Sequence, residues 1–153
     1  MNTNVIKETF ACSMKAGGFK KKGDSWYRHS DGVILVTNLQ KSNFGEQYYV
    51  NLAVWLTDVA EAQQPKEHHC HVRVRATSLD ADNERRWNDE VFNLDYTDIA
   101  DSERASAIRQ FLDSTAIPFL MKMGSLPQLQ TLYKDGHLQG AAILARVLPH
   151  LRS

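Results

Sequence analysis

The chain has 153 residues and a mass of 17.4 kDa, the size of one domain. Hydrophobic residues make up 42% and charged residues 24%, which excludes disorder or a fibrous repeat as the main state. Lysine plus arginine equals aspartate plus glutamate at 18 each, so the positive surplus typical of a phosphate-backbone binder is missing.

The first eight residues, Met1 to Glu8, contain no apolar h-region and do not read as a secretory signal. The most apolar stretches, 33–36 and 141–148, fall far short of the roughly 20 residues that cross a bilayer. Cys12 and Cys70 are the only cysteines. Without a secretion signal they read as reduced thiols used as small packing residues, and the expected location is the cytoplasm.

In chain order, residues 4–16 predict an amphipathic helix, with Val5, Ile6, Phe10 and Met14 at near-helical spacing and Gly17-Gly18 as its stop. Phe19 leads into Lys20-Lys21-Lys22-Gly23-Asp24, which ends in turn chemistry. Strands follow at 26–29, 33–42 and 47–57, separated by Asp31-Gly32 and Asn43-Phe44-Gly45-Glu46, so antiparallel hairpins are expected. Residues 58–67 are polar and read as a loop or one helical turn. The alternation through 70–77 marks a half-buried strand. Between Asp80 and Glu103 there are nine carboxylates against Arg85 and Arg86, with Trp87, Val91, Phe92 and Leu94 as apolar anchors. Helices are predicted over 102–123, with Pro118 as a kink, over 125–134, with Ser125 as cap, and over 137–148. The expected architecture is α+β in one domain, 1–153. An antiparallel sheet of four to five strands (19–95) carries an N-terminal helix and C-terminal helices (102–151) on one face.

The succession Gly18-Phe19-Lys20-Lys21-Lys22-Gly23, Trp26-Tyr27-Arg28, Leu39-Gln40-Lys41-Ser42 and Tyr49-Val50-Asn51-Leu52 resembles the domain-of-unknown-function 4304 family of mostly bacterial proteins. Cys70-His71-Val72-Arg73 and Trp87 fit the same pattern, and the resemblance covers roughly residues 5–95. It implies an α+β fold and carries no catalytic residues with it.

Alternation on the strands gathers the polar side chains. His71, Arg73 and Arg75 share one face of their strand, Asn38, Gln40 and Ser42 one face of another, and Tyr49, Asn51 and Ala53 one face of a third. If the apolar sets face the helices, these polar sets meet on the opposite side, either as a solvated face or as a binding surface. The candidate ligand-binding residues are His71, Arg73, Arg75, Gln40 and Asn51, because guanidinium forks beside amides suit carboxylate or phosphate.

Other constellations are weaker. His68, His69, Cys70 and His71 contain zinc-type donors, but strand alternation points Cys70 away from His69 and His71, so no metal or cofactor is expected. Lys20-Lys21-Lys22 beside Trp26 and Tyr27 offers phosphate neutralisation and stacking. Ten basic against eight acidic residues in the first 80 argue against nucleic acid as the partner. No nucleophile elbow, phosphate loop or dinucleotide fingerprint occurs, and no catalytic residue is named.

The resulting expectation is a non-enzymatic protein-binding module of a bacterial cytoplasmic protein, with an immunity-like role as one form. The alternative is a small anionic-ligand-binding protein or enzyme using the face around His71, Arg73 and Arg75.

Overall fold

The structure, a computed structural model, describes residues 4–153; Met1, Asn2 and Thr3 lie outside the described residues. Helix α1 spans Val5–Ala16, and the Asn4 side chain caps it by accepting from the Lys7 N–H at 3.1 Å. Ile6, Phe10 and Met14, four residues apart, are fully buried on one stripe. The helix ends where Phe19 N–H donates to Met14 C=O at 3.0 Å and Gly18 adopts φ +83°, a left-handed closure that glycine permits.

Six antiparallel strands follow in sheet order: β1 (Lys20–Lys22), β2 (Ser25–His29), β3 (Val33–Lys41), β4 (Tyr48–Leu56), β5 (Val72–Arg75) and β6 (Ala142–Ile143). The α+β architecture with an antiparallel sheet is as expected, with one strand more at the upper end of the count. Both strands that the sequence hides are edges. Three consecutive lysines show no alternation of hydrophobicity, yet such residues suit an edge that must not recruit another chain. The predicted helix over 137–148 does not form. Gly136 at φ +81° closes the preceding helix, and the chain then runs back along β5, where Val72 pairs with Ile143 and Arg73 with Ala142. Pairing the otherwise open backbone of β5 outweighs the helical spacing of Leu138, Ala141 and Leu144, and Leu144 is left exposed.

The register sorts side chains between the two faces. Trp26, Val33, Leu35, Leu39, Val50, Leu52, Val54, Val72 and Val74 point toward the helices and form one core with α1 and the later helices. The opposite face is not purely polar. Tyr27, Ile34, Val36 and Ala53 form a second, smaller core with Cys70 and the half-buried Trp55. Segment 57–71 crosses that half of the face, and the Trp55 indole N–H donates to Ala60 C=O at 2.7 Å. The continuous apolar run Val33 to Val36 is the signature of a strand buried on both sides.

Beyond β5, 3-10 turns (Ala76–Asn83), α2 (Glu84–Arg86) and a π-helical turn (Trp87–Val91) carry the acidic connector. Helix α3 (Asp101–Phe111) continues through a second π-helical turn (Leu112–Ala116) into α4 (Ile117–Met121). That wider turn lies just before Pro118, whose ring is incompatible with the carbonyl four residues back, so the regular helix is interrupted where the sequence placed a kink. Helix α5 (Leu126–Lys134) starts at Ser125, whose hydroxyl accepts from Gln128 N–H, and α6 (Leu148–Arg152) ends the chain. No helix among the described residues is long and apolar enough to cross a membrane.

Arg104 of α3 ties the connector to the core. It is 2% exposed, and its Nη1 donates to the carbonyls of Glu90, Val91 and Asn93 at 2.6, 2.7 and 2.9 Å while Nη2 donates to that of Tyr96. Two of these carbonyls close the π-helical turn, where the backbone presents partial negative charge. Arg104→Met keeps the aliphatic stem and leaves the carbonyls without their donor. It is expected to cost about 3 kcal/mol in urea unfolding, the scale of a charged hydrogen-bond cluster, with the slope of the transition unchanged.

Candidate functional site

The uncovered half of the outer face is built around Asn51. In the ladder Asn38 lies opposite Asn51, Asn51 opposite Arg75, and Gln40 opposite Tyr49, so five side chains from three strands meet on one surface. Asn51 is only 5% exposed, and both amide hydrogens and the amide oxygen are engaged. Its Nδ2 donates to Asn38 Oδ1 at 2.9 Å and to Gln40 Oε1 at 3.0 Å, and its Oδ1 accepts from Arg75 Nε at 2.9 Å. The Arg75 guanidinium lies over the Tyr49 ring, 4.4 Å from its centroid. Its two Nη groups make no hydrogen bond or ion pair among the described residues, so they face solvent with their direction already set.

Arg73 and His71 share this face, as alternation requires, but serve other ends. Arg73 grips Glu67 with Nε to Oε1 at 2.9 Å and Nη2 to Oε2 at 3.3 Å. That pair pins the 3-10 turn Glu67–His69 to the sheet and uses up the charge of Arg73. His71 has no exposed surface and stacks on Trp55, the ring centroids 4.2 Å apart. Its Nδ1 accepts the Leu56 N–H at 2.8 Å, which puts the proton of the neutral ring on Nε2. Arg146 Nη2 stands 3.4 Å from that Nε2. Of the five candidate residues, the structure therefore joins Gln40, Asn51 and Arg75 in one network, leaves Arg73 in its own ion pair, and seals His71 below the C-terminal segment.

Burial first, and the Arg146 charge second, push the His71 pKa down to about 4. The Cys70 thiol, also buried, is pushed up to about 12, chiefly by desolvation. Neither is a solvent-accessible nucleophile or base. Cys12 lies exposed on α1 and both cysteines are free. His68 and His69 pack against each other at 4.1 Å, and among the described residues no three His, Cys, Asp or Glu side chains converge as metal ligands. Trp26 is buried edge-on against Phe10 at 4.8 Å, with Lys21 over its ring, so it offers no platform to a base. In the acidic connector Val91 and Phe92 are buried and Trp87 packs on Phe111 at 4.8 Å; these anchors serve the core.

Sequence reasoning passed over Phe44. It sits 99% exposed in the turn between β3 and β4, which Phe44 N–H to Ser42 Oγ and Lys41 Nζ to Gly45 C=O hold closed. An aromatic inside a four-residue turn of otherwise polar and small residues was the available signal.

His71 gives the fold a pH dependence whose sign is set by its lowered pKa. The unfolded chain binds a proton near pH 6.5 and the folded one only near pH 4, so stability is full above about 6.5 and falls as pH drops toward 4. The loss is at most about 3 kcal/mol. His71→Asn, whose Oδ1 can replace Nδ1 as acceptor for Leu56, is expected to flatten the change in urea midpoint between pH 7 and pH 4.5.

The family described as Domain of unknown function (DUF4304) matches residues 10–122, which takes in the second half of α1, strands β1 to β5, the acidic connector and α3 through α4. No curated protein and no solved structure matches the chain. A match over that length, including the whole Asn51 network, shows that the chain belongs to the DUF4304 family.

Proposed function

We propose that this protein is a non-enzymatic binding module that docks a protein partner on the uncovered outer face of its sheet, with Arg75 as the anchor. The observation that carries the reading is the preset state of Arg75. Asn51 holds its Nε, Tyr49 supports its plane, and its Nη groups point outward without a partner. A guanidinium fixed before binding loses little side-chain entropy on contact, and arginine and tyrosine are the residues that dominate interface energetics. Arg75 and Gln40 lie exposed on the sheet surface, which suits carboxylates or backbone carbonyls presented by another protein better than an enclosed small-substrate site. Phe44, beyond the far end of the same strand as Gln40, supplies an apolar contact at the rim. We take the setting to be the bacterial cytoplasm, in keeping with two unpaired thiols.

Affinity capture from the native host with the tagged chain tests this. A partner is expected at fixed stoichiometry, and its affinity should fall by about 2 kcal/mol or more in Arg75→Glu and by a comparable amount in Tyr49→Ala. Arg109→Glu, a charge reversal at an exposed position of α3, should leave it unchanged. A partner that tolerates both Arg75→Glu and Tyr49→Ala removes this face from consideration.

A further inference from the structure

A second surface, adjoining the Arg75 shelf at Asn38 but built from other charged residues, lies at the β1–β2 edge of the sheet. Because Lys20 pairs with Tyr27 and Lys22 with Ser25, both lysines project to the outer face while Lys21 turns back over Trp26. Two clefts open there. One, of about 600 Å³, lies beside the end of α1 and is lined by Lys20, Arg28 and His29. The other, of about 500 Å³, lies under segment 57–71 and is lined by Lys22, Lys66 and His68. Tyr27 borders both, so the two clefts adjoin along this edge as a trough in two parts, each with its own cationic groups.

The charge in this trough is uncompensated. Among the described residues Lys20, Lys22, Lys66 and Arg28 make no ion pair. The carboxylate on the wall, Glu67, has both oxygens engaged by Arg73. Arg28 is held by donating to Gly17 C=O at 2.6 Å, and His29 Nε2 lies 3.2 Å from Gln63 C=O. In a chain whose formal net charge is zero, four fixed-sign cations around a concave surface without a free carboxylate make a local field that draws anions. Neither exposed tryptophan nor exposed tyrosine flanks the trough, so base stacking is not part of the recognition; charge and length are.

We infer that the trough binds a compact ligand bearing at least two phosphate groups, one seated at Lys20 and Arg28 and the other at Lys22 and Lys66, spanning past Tyr27. Cleft size matches small-ligand sites, and a single orthophosphate seated in one cleft leaves the cations of the other without a partner.

The probe is inorganic tripolyphosphate, titrated calorimetrically into the wild-type chain at low ionic strength, with orthophosphate as the short comparison. One-to-one binding is expected, with orthophosphate at least about tenfold weaker. Lys20→Glu and Lys66→Glu, both exposed and remote from the core, should each weaken tripolyphosphate about tenfold, whereas Lys122→Glu should not. Binding lost at only one end would overturn the two-phosphate reading. Equal weakening by Lys122→Glu, or no heat of binding at all, would reduce the trough to a solvated charged edge. None of these variants touches Arg75, Tyr49 or Asn51, so the result stands apart from that of the protein-partner test.

Discussion

The nine-rung pairing of β3 with β4, from Val33 opposite Leu56 to Lys41 opposite Tyr48, is the constraint on which the rest of the structure depends. It sends Leu35, Leu39, Val50, Leu52 and Val54 to the helices and Ile34, Val36, Asn38, Gln40, Asn51 and Ala53 to the other side. A slip of one residue in β3 would drive Asn38 and Gln40 into the helical core, where their amides would lack partners. The Asn51 amide adds a penalty for any other register. Its three hydrogen bonds reach Asn38, Gln40 and Arg75 only when β3, β4 and β5 are aligned as observed.

That constraint also explains what the sequence discloses and what it hides. Alternation in β3, β4 and β5 is visible in the order of residues, so the polar set Gln40, Asn51, Arg73 and Arg75 could be assembled without coordinates. The fate of each member depends on tertiary neighbours that alternation does not encode. Glu67 lies six residues before Arg73, at the end of a segment read as a loop or one helical turn, and Arg146 reaches His71 from the far end of the chain. The covering of His71 depends on β6, which helical spacing conceals because Leu138, Ala141 and Leu144 fit a helix as well as they fit a turn and a short strand. Local propensity yields there to the unpaired edge of β5. The tie from Arg104 to four carbonyls is a similar case, since nothing in an isolated helix sequence marks which arginine will be buried.

Charge is distributed more unevenly than the zero net value implies. The connector from Asp80 to Glu103 holds nine of the 18 carboxylates, while Lys20 and Lys22 at the β1–β2 edge and Lys66 just before the turn Glu67–His69 are unpaired lysines. Only three ion pairs occur among the described residues, so most charges keep their full field in solution. A protein of this kind has little long-range attraction for a uniform polyanion, yet it presents separate patches of opposite sign at short range, within a Debye length of about 8 Å at physiological salt.

The two outer surfaces meet at Asn38. Its Oδ1 accepts from Asn51, and the same residue lines the cleft beneath segment 57–71. The Asn51 network is satisfied without any ligand, so it presents Arg75 in one orientation whether or not the trough is filled. The trough has no such internal satisfaction: its lysines are long, mobile and mutually repulsive. An anion that neutralises them would restrain Lys66 and, through the adjacent Glu67–Arg73 pair, the turn that roofs the smaller core. The physical difference between the surfaces is therefore one of preorganisation. The Arg75 shelf is rigid before contact, which favours selectivity for shape and direction, whereas the trough gains order on contact and selects chiefly by charge and span.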